Sequence, residues 1–271
     1  LPAVPEDELT LEILDRQGQV LRSLSSQKEE PQAPSPWRRF MTGPTPSRQL
    51  ATETGLNRYV WNLRLADASI AEDAVLWGSA RGPKVPPGTY QARLSVGETT
   101  ITTDFEILGD PRLATSVAEY QQQFELAKNT WEALSESHRA LETARDVRQQ
   151  IADLAARLQA EQEDEEIATA AQLSQDALTA IENKIYQSSS ESSQDVLNFP
   201  PQLDNQLLGL LGVVSSGNTA PTAGAIQRYE DLRAELEAVQ TELREVLATQ
   251  VLAFTDLVEN KQVPAIIVPT L

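Results

Sequence analysis

The chain has 271 residues, carries 40 acidic against 22 basic side chains for a formal net charge of -18, and contains no cysteine. That length accommodates two domains, each able to bury a core without metals or disulfides. The negative field disfavours nucleic acid and membrane surfaces as partners, and the missing thiols exclude cysteine catalysis, disulfide frameworks and cysteine-ligated metals.

The acidity is uneven, since residues 1–110 hold 15 acidic and 11 basic side chains while residues 111–271 hold 25 and 11. No apolar run approaches the roughly 20 residues of a membrane span. The first residues, Leu1-Pro2-Ala3-Val4-Pro5, lack the basic and apolar regions of a signal peptide. The chain reads as trimmed, with any targeting signal upstream.

Residues 9–15 alternate apolar and polar, and after Gly18 a second short run covers 20–24, which predicts a β-hairpin. Residues 25–54 are rich in Pro, Ser and Gln and predict a long loop, with Trp37 and Phe40 as apolar anchors. In Asn57–Arg64 the residues Tyr59, Trp61 and Leu63 recur at period two and predict a strand with one aromatic face inward. A second loop covers 65–88, and Thr89–Val96 and Thr100–Leu108 predict a hairpin turning at Gly97-Glu98. Short alternating strands with these turn signals suggest an antiparallel, immunoglobulin-like β-sandwich over residues 1–110.

Ser116 and Glu119 have the spacing of a capping box, so a helix starts there. Its stripe is Val117, Tyr120, Phe124, Ala127, Trp131, Leu134 and Leu141, with His138 on the same seam. The steps tighten to three through Ala144 and Val147, and the helix reaches about Glu161. The acidic run 161–166 marks a reversal, and Ile167, Ala171, Leu178, Ile181 and Ile185 predict an antiparallel return. A short apolar helix near Leu203–Val214 follows, then a long one from Thr222 bearing Ile226, Tyr229, Leu232, Leu236, Val239, Leu243, Val246 and Phe254. Residues 111–261 thus predict a long-helix antiparallel bundle, and 262–271 an extended apolar tail that docks against something.

Catalytic constellations are scarce. A single histidine removes most triad and metal arrangements, and His138 reads as a packed seam residue. The run 161–166 lacks the ligand pattern and glycine of a calcium loop, and Glu98, Asp104 and Glu106 have no convergent partners that would make a glycosidase pair. No phosphate-binding or nucleophile-elbow motif occurs. No catalytic, cofactor or metal residue is therefore assigned. Trp61 reads as core, while Trp37 and Trp77, both in loops, are the candidate ligand or partner contacts, because an indole face can stack on a sugar.

The ordered set Thr10–Asp15 with Gly18, Gly55–Arg64, Gly82-Pro83 with Val85 and Pro87–Tyr90, Asp110-Pro111-Arg112, and Asn198-Phe199-Pro200 resembles the region after the β-propeller in bacterial sortilin-like, BNR-repeat "glycosyl hydrolase" proteins. The resemblance covers nearly the whole chain. It implies a secreted, periplasmic or cell-envelope protein whose propeller lies upstream, with an immunoglobulin-like domain and a helical end. It carries no catalytic residue onto this chain, and it implies that a strand preceding Leu1 is missing from the sandwich. The expected function is a non-catalytic accessory and interaction module whose partner is that propeller or another subunit, with homo-oligomers as a further expectation. The alternatives are a supporting part of a propeller glycosidase and a carbohydrate-binding module.

Overall fold

The computed structural model describes residues 1–27, 49–159, 164–192 and 194–261. Trp37, Phe40 and the tail 262–271 lie outside them. The chain combines one four-stranded antiparallel sheet with a set of helices, and contacts divide it into two units. The first comprises Leu1–Ala66 and Arg81–Phe124, the second Asp67–Ala80 and Glu125–Leu271. Residues 67–80, part of a predicted β-domain loop, thus belong to the helical unit, and the division falls at 124/125 where the sequence suggests 110/111.

In the first unit, β1 (Leu9–Leu14) and β2 (Val20–Ser25) form the first hairpin, with Gly18 at φ 80° in its turn. Asp15 closes that turn by accepting the backbone N–H groups of Gln17 and Gln19. The second hairpin, β3 (Gly88–Val96) and β4 (Thr99–Ile107), turns at Gly97 with φ 53°. The sheet order is β2-β1-β3-β4.

Register puts Leu24, Leu11, Leu94 and Ile101 in one row across the four strands. Directly paired residues share a face, so that row belongs to the apolar side, together with Leu9, Tyr90 and Phe105. The opposite side carries polar pairs, Glu12 with Arg93 at 2.8 Å and Gln91 donating to Asp104 at 2.9 Å, with the buried Leu14 next to Gln91 in its row.

Residues 57–64 differ from the predicted strand. Their burial alternates through Asn62, with Tyr59, Trp61 and Leu63 partly buried and Arg58, Val60 and Asn62 exposed. Yet the segment makes only an isolated bridge, Arg64 to Lys84, and Leu63 sits at φ 61°. It packs on the apolar side of the sheet instead of joining a ladder: Tyr59 packs with Leu9 and Leu24, and Trp61 and Leu63 with Leu65, Val85 and Tyr90. Period two reports that one side is buried, whatever buries it. The indole N–H of Trp61 donates to the Arg64 carbonyl at 2.9 Å, and its ring meets Tyr90 and Phe105 edge-on at 6.5 and 6.4 Å.

Helix α1 (Val117–Gln159) is 43 residues long and so roughly 64 Å, and from Glu125 onward it belongs to the helical unit. The capping box forms: Glu119 accepts the Ser116 N–H at 2.7 Å, and Ser116 Oγ accepts the Glu119 N–H at 3.3 Å. The seam differs at its start, because Val117 is exposed and the buried stripe begins at Leu126 and Ala127. Helices α2 (Glu165–Ile185), α3 (Leu203–Val214) and α4 (Ala223–Val246) follow. A π-turn, Leu247–Val251, then leads into α5 (Leu252–Asn260).

Two apolar clusters form along α1. Near its start, Leu126 and Leu134 pack with Leu203, Leu207, Leu232 and Leu236. Further along, Leu141 and Ile151 pack with Ile167, Leu178, Val239 and Phe254. On α4 the buried stripe runs 225, 232, 236, 239, 243 and 246, so Ala225 takes the inward place expected of Ile226, which is exposed. The interval from Val246 to Phe254 is eight residues, one more than two α-helical turns. The wider π-turn absorbs the extra residue and returns Phe254 to the buried face.

Candidate functional site

Residues 67–80 form a strap that lies within the helical unit without being helix or strand. Its ends are clasped by the Ala68 N–H donating to the Ala80 carbonyl at 2.8 Å. Ala68, Ile70, Leu76 and Ala80 enter one apolar cluster, and Ala71 and Ala74 the other. An extended backbone in such a place needs partners for its N–H groups, since each buried one left alone costs about 1–3 kcal/mol. Helix side chains supply them. Ser69 N–H donates to Ser135 Oγ at 3.3 Å, Ala71 N–H to His138 Nδ1 at 3.3 Å, Val75 N–H to Tyr186 Oη at 3.1 Å, and Trp77 N–H to Asn205 Oδ1 at 2.8 Å.

The helices present these acceptors for local reasons. Ser135 and His138 are one turn apart on α1, on the side facing the strap. Tyr186 is the residue that ends α2, and its ring lies under the guanidinium of Arg145 at 4.9 Å. Arg145 is held by Glu182 at 2.7 Å, and Glu182 also takes Arg148. Asn205 lies in the first turn of α3.

His138 and Asp204 form the electrostatic centre of the strap's seat. Both are fully buried, and Nε2 of His138 lies 3.9 Å from Oδ2 of Asp204. Because Nδ1 accepts from Ala71, the ring proton sits on Nε2. Burial, aided by the charge of Arg145, pulls His138 down to about 4, so it is neutral. Burial pushes the Asp204 carboxyl up to about 7, against the hydrogen bonds from the backbone and side-chain N–H groups of Asn205 at 2.6 and 3.3 Å. Among the described residues, Trp131 Nε1, His138 Nε2 and Asp204 Oδ2 are the buried side-chain atoms with no hydrogen-bond partner.

His138 is therefore a buried polar residue, as its place on the seam suggests, and it spends its one acceptor on the strap. A wholly buried imidazole whose Nδ1 is occupied cannot meet a substrate in this arrangement. The four acceptors hold backbone.

Of the two tryptophans singled out as contacts, Trp37 lies outside the described residues. Trp77 has its backbone fixed by Asn205 while about half of its side chain faces solvent, at 51% exposure. Of Glu98, Asp104 and Glu106 on the second hairpin, Asp104 accepts a hydrogen bond from Gln91 at 2.9 Å. Within the acidic run, residues 161–163 are not described. Asp164 caps α2 by accepting from Glu166 N–H and Ile167 N–H, and Lys261 binds both Asp164 and Glu166, at 2.6 and 2.8 Å. Lys261 holds the Asp164 carboxyl below the usual range. No group of three His, Asp or Glu residues that could hold a metal occurs among the described residues, and no described helix is long and apolar enough to cross a membrane.

The strap's seat had little signal in the sequence beyond His138 itself. Its four hydrogen bonds join residues 66, 67, 111 and 128 positions apart, and no local pattern encodes such pairs. No family model matches the chain, and neither a curated protein nor a solved structure matches it.

Proposed function

We propose that the chain is a non-catalytic accessory and interaction module of a larger secreted or envelope protein, bracing a β-propeller or another subunit. One observation carries this reading: the buried Ser135, His138 and Tyr186 and the half-buried Asn205 of the helical unit each accept a hydrogen bond from one segment of backbone. That is the economy of a scaffold. In this reading the four-stranded sheet is one layer of an immunoglobulin-like sandwich that lacks a strand, and the helices form an antiparallel bundle with one long hairpin.

The resemblance to sortilin-like, BNR-repeat proteins supplies the propeller and the envelope location. The test compares the intact protein with this chain on a panel of chromogenic sialosides and glycosides, and reads the residues that precede Leu1. Repeated Asp-box motifs are expected there, with no turnover by this chain alone. Turnover by this chain, or a preceding sequence without propeller repeats, overturns the reading.

A second reading, a carbohydrate-binding module, rests on Trp77, whose backbone is fixed while its indole is half exposed. Trp77→Ala should then abolish any glycan-induced change in tryptophan fluorescence. A glycan panel that leaves the fluorescence of the unmodified chain unchanged rejects it.

A further inference from the structure

A groove of about 780 Å³ runs between α2 and α5. Leu173, Ala253, Phe254 and Leu257 give it an apolar floor, and Glu165 and Glu166 close one end. Leu173 stands 61% exposed there, unusual for a leucine on a helix whose other face is fully buried. The π-turn contributes Gln250, whose carbonyl accepts a hydrogen bond from Ser174 Oγ at 3.3 Å. At the acidic end Lys261 is pinned between Asp164 and Glu166.

We propose that this groove is the seat of the chain's own segment Val263-Pro264-Ala265-Ile266-Ile267-Val268-Pro269. The segment follows Lys261 after a single residue, so the ion pairs that fix Lys261 deliver it to the mouth of the groove. Its seven residues reach at most about 25 Å when extended, and the groove from Glu166 to Ser174 rises only about 12 Å along α2. It is uncharged and so enters past Glu165 and Glu166 without repulsion. Its two prolines lack N–H groups, which lowers the number of donors that an apolar floor would leave unsatisfied. Tethering two residues from the groove gives an effective concentration in the millimolar range, so weak apolar contacts are enough to fill it.

The absence of cysteine makes the test direct. Leu173→Cys is combined in turn with Ile266→Cys and Ile267→Cys in the full chain, and Val213→Cys, an equally exposed position on α3, replaces Leu173→Cys in the control. Disulfide formation in dilute protein under mild oxidant is followed by non-reducing electrophoresis. At least one Leu173→Cys pair should close within monomers more than tenfold faster than the control. Equal rates overturn the proposal, and so do disulfides formed only in dimers, which assign the groove to the segment of a second copy. Circular dichroism confirms that each variant is folded. Hydrogen exchange over 249–257 in the unmodified chain should also be slower than in a chain ending at Lys261, and equal exchange overturns the proposal independently.

Discussion

The pairing of His138 with Asp204 predicts an unusual acid response, because the two groups are displaced in opposite directions. His138 falls from 6.5 to about 4, so its share of the stability is complete above pH 6.5 and is lost as pH falls toward 4. Asp204 rises from 3.8 to about 7, so its share is complete below pH 3.8 and is lost as pH climbs toward 7. At about 1.4 kcal/mol per pH unit, these spans amount to about 3 and about 4 kcal/mol. Between pH 4 and 6.5 the two slopes are equal and opposite, and the helical unit should be nearly indifferent to pH through this pair. Single substitutions uncover each slope. Asp204→Asn should lose about 3 kcal/mol between pH 6.5 and 4, and His138→Gln about 4 kcal/mol between pH 3.8 and 7. The assay is urea unfolding followed by helical circular dichroism at half-unit steps of pH, with the double variant as reference for all other carboxylates. Comparing slopes avoids the fixed cost of each substitution. Profiles for Asp204→Asn and the double variant that run parallel within about 0.5 kcal/mol refute the reasoning.

Tyr186→Phe leaves the Val75 N–H without its acceptor and should cost about 1–3 kcal/mol in urea unfolding, with faster hydrogen exchange at Val75. Gly82→Ala would bring a Cβ to 2.3 Å from the Ala66 carbonyl oxygen, and since that neighbour is backbone, a loss of more than about 2 kcal/mol is expected. Deleting Thr249 from the π-turn shortens the interval from Val246 to Phe254 to seven, so an uninterrupted α-helix should keep Phe254 buried. The melting profile should then change little, and a loss above about 3 kcal/mol contradicts that account of the turn.

Much of the molecule could be read from local pattern. Both hairpins, the Ser116–Glu119 capping box, α3 and the start of α4 at Thr222 rest on signals within a few residues, and they form where those signals place them. The interval of eight before Phe254 is likewise present in the sequence, although its meaning depends on knowing that the helix continues. Residues 57–64 show where pattern stops: alternation identified the buried side chains but not that a sheet's face, instead of a neighbouring strand, receives them. The strap is the larger omission. Its Ala-rich run resembles a loop because its order comes from acceptors on three helices, and the Asp204 that faces His138 belongs to a helix 66 residues further on.

The clasp between Ala68 and Ala80 bears on how the chain could be divided. The strap's hydrogen bonds fall into two groups, Ser69 and Ala71 on one side of Asp73 and Val75 and Trp77 on the other, and each has its own acceptors. Asp73, exposed and at φ 64°, lies between them. A cut there leaves both new ends anchored to the same set of helices. Two fragments, 1–73 and 74–271, are thus furnished to find each other again, which makes this loop a natural point for a split reporter or for grafting a foreign peptide.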